Sequence, residues 1–462
     1  MRDWERATWQ TGQTEQTVMA RVGELLAQRI TELTCLGDRI LLLAGKGHNG
    51  DDVRLARPHL NERTVQMLEV TDPLRQLPEL DHALDQSPKL IVDGLFGIGL
   101  DRPLAEGWKF FIDRVNRSSS PILSVDLPSG LNADTGLAEG AAIRASFTLT
   151  VGAPKVGLLA PAALPFVGQL QVLNDIGLGP PPEGIELLWT LPTDFRGFPP
   201  VRELTAHKGD FGQLVILAGS LGYHGAAVLA ARGAQAARPG LITVITTDET
   251  YVPIAAQLQS VMVRPWHSEW QPPEKTTAIL FGPGLADPSL PAGVRKQALQ
   301  LWRGSAAPVI ADASGLDWLT DTDIKATSLR VITPHGGEAA RLLKRPAAAV
   351  QADRVAALRE LSARLNRACV VLKGHQTLVG SAEGPVYVNG SGGPLLAQGG
   401  SGDVLAGFLG GLLSQPLLLR DPILAIRYGV WRHGLAGESA NWSGLIEELP
   451  VELAQRPVSS AA

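Results

Sequence analysis

Apolar positions along this chain follow two patterns. Val18, Val22, Leu25, Leu26 and Ile30 recur at helical spacing and predict a helix over 15–33. Elsewhere the apolar residues come in short continuous runs. In the first half these are Ile40–Leu43, Val65–Val70, Leu90–Asp93, Ile122–Asp126 and Phe147–Val151. In the second half they are Gln213–Ala218, Leu241–Thr246, Ala278–Phe281, Pro308–Asp312, Arg330–Thr333 and Cys369–Leu372, with a hairpin-like return over Pro385–Asn389. Runs of this length without polar alternation suit parallel strands covered on both faces. Helical patterns lie between them: an alanine-rich one over 223–231, an apolar one from Val404, and one over 428–439. Strand and helix alternate in both halves, which predicts an α/β protein with two doubly wound domains.

Residues 179–204 break the pattern. They hold Pro180, Pro181, Pro182, Pro192, Pro199 and Pro200, and three consecutive prolines continue neither a helix nor a central strand. This predicts a first domain over 1–178, a stiff linker over 179–204 and a second domain over 205–445. The tail over 446–462 is expected to fray after Pro450.

Composition adds limits. With 462 residues, 45% hydrophobic and 19% charged, the chain is a folded protein too long for one core. Its 50 glycines and 33 prolines exceed ordinary usage and point to many tight loops. A net charge of -5 argues against a nucleic-acid partner. Cys35 and Cys369 lie in different halves, which fits neither a disulfide framework nor a cysteine zinc site. No apolar run is long enough to span a bilayer, and Met1–Arg6 lacks a signal-peptide core, so no membrane partner and a cytoplasmic location are expected.

The chemistry concentrates at strand ends. Gly399, Gly400, Ser401 and Gly402 form an unbroken small-residue run before Asp403, and an apolar helix pattern follows. Such a run at a helix start offers N–H groups to an anion. A lone carboxylate there is poorly placed to hold a phosphate, but well placed to deprotonate a hydroxyl that attacks one. Just upstream, Lys373-Gly374-His375-Gln376-Thr377 follows a strand; Lys373 and Thr377 suit hydrogen bonding to phosphate or ribose. His335 sits among glycines at another strand end and is expected to face a cleft, whereas His433 reads as a packed core histidine. In the first half, Ile40–Leu43 runs into a glycine-rich turn, Gly45–Asp52, as a nucleotide site opens in a doubly wound sheet. The turn matches neither a Walker loop nor the dinucleotide fingerprint. Asn49, Asp93, Asp126 and Ser129 project from the same strand ends, and their oxygen donors suit a hard cation such as potassium or magnesium.

Residues 1 to about 178 resemble the NAD(P)H-hydrate epimerase domain through GKGHNGDD, DGLFGIGL, SVDLPSGLNADTG and TVGAPKVGLL. The resemblance implies a Rossmann-like fold and a potassium ion held by Asn49, Asp93 and Ser129. It also implies a substrate site over His48, Asn49, Gly50, Asp51, Asp52 and Gly97, with Asp126 contacting the substrate in a catalytic role. The loop departs from the family's GNNGGDG: His48 replaces an asparagine, and Asp51 and Val53 replace glycines. A charged side chain at Asp51 is expected to obstruct substrate phosphates, so weak or absent epimerase activity is expected of this half; the alternative is that it still works with altered loops.

Residues 205 to 442 resemble the ADP-dependent NAD(P)H-hydrate dehydratase, a relative of the ribokinase-like fold. The motifs are KGDFG, GYHGAAVLAA, FGPGLA, VIADASGL, ITPHGGEAARLL, VLKGHQT and QGGSGDVLAG. The resemblance implies that Lys373–Thr377 and the Gly399–Gly402 loop bind ADP, with magnesium on its phosphates. It implies that Asp403 acts on the hydrated ring, and that Ala226 or Ala227, Gly284 and His335 line the substrate site. Asp312-Ala313-Ser314 departs from the family's DADAL by a serine. The expected reaction is ADP-dependent dehydration of hydrated NADH or NADPH, in a homo-oligomer. The alternative is a small-molecule kinase of the same fold with a non-catalytic first domain.

Overall fold

A computed structural model describes residues 2–100, 102–182, 184–319 and 328–455. The chain divides into two compact units, Met1–Gly184 and Ile185–Ala462.

The first unit is a six-stranded parallel sheet in the order β2-β1-β3-β4-β5-β6. Its strands are β1 (Arg39–Ala44), β2 (Thr64–Glu69), β3 (Leu90–Gly94), β4 (Ile122–Val125), β5 (Phe147–Val151) and β6 (Gln169–Leu173). The helices are α1 (Arg2–Trp9), α2 (Glu15–Leu33), α3 (His48–Ala56), α4 (Pro73–Asp85), α5 (Glu106–Asn116) and the single turn α6 (Leu164–Val167). The apolar run of β1 is covered on both sides: Ile40, Leu42 and Ala44 enter one core, and Leu41 and Leu43 the other. Because β2 and β3 flank β1 on opposite sides, the strand order reverses between β1 and β3. Ligand crevices form at such a reversal, beyond the carboxyl ends of the strands.

The second unit carries a ten-stranded sheet in the order β10-β9-β8-β11-β12-β13-β14-β15-β16-β7. Its strands are β7 (Leu187–Trp189), β8 (Gln213–Leu217), β9 (Leu241–Thr246), β10 (Met262–Pro265), β11 (Ala278–Phe281), β12 (Val309–Ala311), β13 (Arg330–Ile332), β14 (Cys369–Leu372), β15 (Thr377–Gly380) and β16 (Val386–Asn389). Strands β10 through β14 are parallel, and β14, β15 and β16 pair antiparallel. The helices are α7 (His224–Ala236), α8 (Asp248–Ala255), α9 (Ala292–Gly304), α10 (Gly336–Leu343), α11 (Ala347–Ala352), α12 (Arg354–Arg364), α13 (Ser401–Leu413), α14 (Pro422–Glu438) and α15 (Leu449–Ala454). The reversal here lies between β8 and β11. The small residues of α7 serve helix packing: a side chain at Gly233 would meet the Val404 carbonyl at 2.2 Å, and one at Gly407 would meet the Ala230 carbonyl at 1.8 Å.

Three expectations need correction. The stretch 179–204 is not linker throughout, because Leu187–Trp189 adds an edge strand beside β16, and Phe195 is buried and stacks on Trp431 at 4.9 Å. Its prolines flank that strand without interrupting it, and an edge tolerates them. The tail does not fray at Pro450, which lies inside α15, where Leu449 and Leu453 are buried; the expected fraying beyond 455 concerns residues outside the described ones. The helix expected over 428–439 begins at Pro422, with Asp421 capping the Leu424 N–H at 3.0 Å. Among the described residues no helix is long and apolar enough to cross a membrane.

Candidate active sites

In the first unit, α3 starts at the carboxyl end of β1, and β3 ends beside it. Asn49, in the first turn of α3, donates through Nδ2 to the carbonyls of Phe96 (2.8 Å) and Val125 (2.7 Å), which ties the glycine loop to the ends of β3 and β4. Asp93 is fully buried. Its carboxylate accepts from Ser129 Oγ (2.6 Å), Ser124 Oγ (2.8 Å), Ser129 N (2.9 Å) and, weakly, Leu95 N (3.3 Å). Burial raises its pKa against those hydrogen bonds, and no cationic side chain pairs with it among the described residues. Ser129 thus bonds Asp93, and Asn49 and Ser129 both reach the Phe96 carbonyl. No group of three or more His, Cys, Asp or Glu side chains forms a metal cluster among the described residues.

A cavity of about 880 Å³ opens above them, lined by Lys46, Gly47, His48, Asn49, Asp52, Phe96, Gly97, Trp108, Asp126 and Lys155 among others. That volume suits a cofactor-sized ligand. Asp126 sits just past β4 with φ 63°, a backbone region unusual for a residue with a side chain. Its Oδ1 accepts from Lys155 Nζ and from Val151 N at 3.1 Å. Lys155 is itself buried, and its ammonium also reaches the Val151 carbonyl (3.0 Å) and Thr150 Oγ1 (3.2 Å). Sequence reasoning missed Lys155, although a lysine in the loop after β5 is a visible signal. Asp52 is buried and pushed up to about 8, first by burial, then by the charges of Asp126 and Asp51, with Lys155 pulling the other way.

Two predicted contacts do not line this cavity. Gly50 packs inward, and a side chain there would meet the Gly45 carbonyl at 2.1 Å. Asp51 turns to Arg54 Nη1 at 2.7 Å; the same guanidinium bonds Glu69 and the Gly45 carbonyl. The expected obstruction by Asp51 is therefore absent from the cavity lining.

In the second unit, residues that follow β12, β13 and β14 converge at the N-terminus of α13. Gly400 caps that helix with φ 96°, a conformation glycine adopts without strain, and Asp403 lies in the first turn. Burial and the charge of Asp312 push Asp403 up to about 7, with Lys373 opposing and Glu338 adding to the rise. First-turn N–H groups lack intrahelical partners and present positive potential. Lys373 Nζ bonds Asp312 Oδ1 at 2.9 Å. Burial alone would lower Lys373; Asp312, followed by Glu338 and Asp403, holds it above its usual value. A side chain at Gly402 would meet Lys373 Nζ at 3.0 Å, so the ammonium lies against this turn.

The rest of the Lys373–Thr377 turn is held by Arg354, whose guanidinium donates to the carbonyls of His375, Gln376 (3.1 Å) and Leu372 (3.0 Å). Gln376 has φ 55°, and its buried Nε2 has no partner among the described residues. Thr377 Oγ1 bonds the Gly374 carbonyl at 3.1 Å. His335 caps α10, its Nδ1 accepting from Gly337 N (3.0 Å) and Glu338 N (3.3 Å); the ring is half exposed, and the residue bridges to Lys373. Gly284 packs beside Ala226, to which an added side chain would come within 3.0 Å. Ala227 is fully buried in the core, whereas Ala226 is partly exposed beside Gly284. His433 is buried, as expected, but is more than packing. Burial pushes its pKa down to about 4, and the neutral ring donates through Nε2 to the Ser401 carbonyl at 3.1 Å, in the first turn of α13. Sequence reasoning assigned no role to Arg354, Glu338 or this bond.

Two α/β units, each gathering polar residues beyond the carboxyl ends of its parallel strands, define a two-domain enzyme of nucleotide-binding architecture. A family model described as NAD(P)H-hydrate dehydratase matches residues 214–456, and one described as YjeF-related protein N-terminus matches 59–157. The bifunctional NAD(P)H-hydrate repair enzyme Nnr of Gloeobacter violaceus is 37% identical, with 94% of this chain and 91% of that protein covered. The Escherichia coli enzyme of the same name is 34% identical, with 92% and 85% covered. A ribokinase-like superfamily protein of known structure from Enterococcus faecalis is 25% identical with a TM-score of 0.51, covering 60% of this chain and 97% of that one. This chain belongs to the bifunctional NAD(P)H-hydrate repair enzymes, with a dehydratase unit that shares the ribokinase-like fold.

Proposed function

We propose that the second unit dehydrates the S form of hydrated NADH or NADPH at the expense of ADP, with Asp403 as the base. The observation that carries this is the carboxyl of Asp403, raised to about 7 at a helix N-terminus. A base of that pKa is half-ionised at neutral pH and can take the proton of the ring hydroxyl. The hydroxyl oxygen then attacks the terminal phosphate of ADP, whose charge meets the Gly399–Gly402 N–H groups. AMP leaves as the P–O bond of ADP breaks; phosphate then departs with the C–O electrons, and loss of a proton from the neighbouring ring carbon restores the ring double bond. The Lys373–Thr377 turn fits the nucleotide: among the described residues no acceptor meets the buried donor Gln376 Nε2. Magnesium would ride on the phosphates beside Asp403 and neutralise charge, which suits an ion that needs only one or two carboxylates. Ala226, Gly284 and His335 line the remaining wall.

The cavity of the first unit is proposed to bind the R form and interconvert the two. Supporting this, Asp51 is paired with Arg54 outside the lining, while Asp52, Asp126 and Gly97 line it. Potassium at Asn49, Asp93 and Ser129 fits the all-oxygen donor set, and it would compensate a buried carboxylate that has no cation of its own. Copies are proposed to associate through the dehydratase unit, as the family resemblance suggests.

The test is a time course of returning reduced-nicotinamide absorbance with ADP, magnesium, potassium and both hydrate epimers. Fast recovery of both supports the full reading. Recovery of the S form alone, with the R form at its spontaneous rate, removes the epimerase assignment. No recovery, with a stable phosphorylated product from ATP and an alcohol, makes the protein a kinase.

A further inference from the structure

Asp52 lies on α3 and is 7% exposed, yet it reaches the cavity of the first unit. Among the described residues no N–H or O–H group donates to its carboxyl. The charged groups that face it are Asp126 after β4, Asp51 on its own helix, and Lys155 after β5. Lys155 is committed elsewhere: its ammonium is shared among Asp126, Thr150 Oγ1 and the Val151 carbonyl. Asp126 is thus one half of an ion pair, with the Val151 N–H as a further donor. A buried carboxyl with no donor and a second carboxylate nearby keeps its proton. One cavity therefore holds two carboxyl groups in contrasting environments, which is how acid and base roles are separated.

Resting on the reading of this cavity as the epimerase site, we infer that Asp52 is the general acid of epimerisation and Asp126 its matching base. The hydroxyl of the hydrate sits on the carbon next to the ring nitrogen. Asp52 gives its proton to that oxygen, the C–O bond breaks, and water leaves as the nitrogen lone pair forms a C=N bond. Water then adds to the opposite face of the carbon, its oxygen forming the new C–O bond as the C=N electrons return to nitrogen. Asp126 takes the proton released, and exchange with cavity water returns one proton to Asp52. Nothing is oxidised or reduced.

The experiment measures the conversion of purified R hydrate to S hydrate by the full chain, with the spontaneous rate subtracted. Wild type, Asp52→Asn and Asp52→Glu are compared. The expected result is a kcat lowered about 10²–10⁴-fold in Asp52→Asn with KM within about threefold, and at least about tenfold of that loss recovered in Asp52→Glu. The unchanged KM reports an intact cavity. If Asp52→Asn keeps kcat within about threefold, or loses only KM, the acid role is overturned while the site assignment stands. If wild type does not exceed the spontaneous rate, the site assignment itself fails.

Discussion

Val53 packs directly over Gly94: a side chain placed at Gly94 would meet Val53 Cγ2 at 2.4 Å. Val53, fully buried, fits between α3 and β3 because Gly94 carries no side chain. Gly94→Ala alone is expected to destabilise the first unit by about 1–3 kcal/mol through overpacking. Val53→Ala alone should cost a similar amount through the cavity it leaves. The double variant should be less unstable than the sum by about 1 kcal/mol, read by urea unfolding. Full rescue is not expected, because the new methyl also meets the Asn49 carbonyl at 2.7 Å. Strict additivity would show that the two positions are independent.

Asp51 tests whether the altered loop impairs the first site. Its carboxylate is paired with Arg54, which also bonds Glu69. Restoring glycine with Asp51→Gly should therefore change kcat/KM for the R epimer by less than about threefold. Arg54→Met frees two carboxylates near the glycine loop and should raise KM by about 3–10-fold, since unpaired like charge repels an anionic ligand. A tenfold gain in Asp51→Gly would mean that Asp51 does obstruct the site.

These cases mark what the sequence discloses. Strands that are apolar on both faces, such as β1 and β11, are legible because burial on two sides leaves no polar alternation. The Gly399–Gly402 run and Asp403 are legible because close backbone approach and a helix start need those residue types in that order. What stays hidden depends on side-chain direction and long-range contact. Asp51 looks obstructive until Arg54, three residues on, draws it aside. The bond from Lys373 to Asp312, which lies 61 residues earlier in the chain, is invisible in the local motif. Asp52 is one of two adjacent acids in a loop motif, and only burial and the absence of a donor among the described residues set it apart. The short β7 is hidden by the prolines around it, since its register comes from β16 and not from local pattern.

Arg354 should matter to nucleotide binding without touching the reacting atoms. Its guanidinium holds three carbonyls of the Leu372–Gln376 segment, and burial lowers its pKa only to about 10, so it stays charged at neutral pH. Arg354→Ala leaves those carbonyls without their charged donor and frees the turn. Loss of such hydrogen bonds is worth about 1.5–3 kcal/mol each at most, and part of it appears as turn disorder rather than lost stability. KM for ADP is expected to rise about tenfold or more, with kcat falling less. An unchanged KM for ADP would detach this turn from the nucleotide site.

The strained protonation of Asp403 makes a prediction in which activity and stability move in opposite directions. Its carboxyl is raised from 3.8 to about 7, first by burial and then by Asp312. Dehydration should accelerate as pH rises through about 7, because the base must be ionised to act. Stability moves the other way. Between pH 4 and 7 the native state keeps a proton that the unfolded chain releases, so native stability falls across that window as pH rises. Above about pH 7 both states are ionised and the full cost of burying the charge remains. Asp403→Asn keeps the shape and removes the charge. It should lower kcat about 10²–10⁴-fold with ADP binding largely kept, and should stabilise the second unit at pH 8 by about 1–3 kcal/mol. At pH 4 the two proteins should melt together. Turnover near the wild-type rate would remove Asp403 from the chemistry, and a variant less stable than wild type at pH 8 would show that the carboxylate is compensated in the native state.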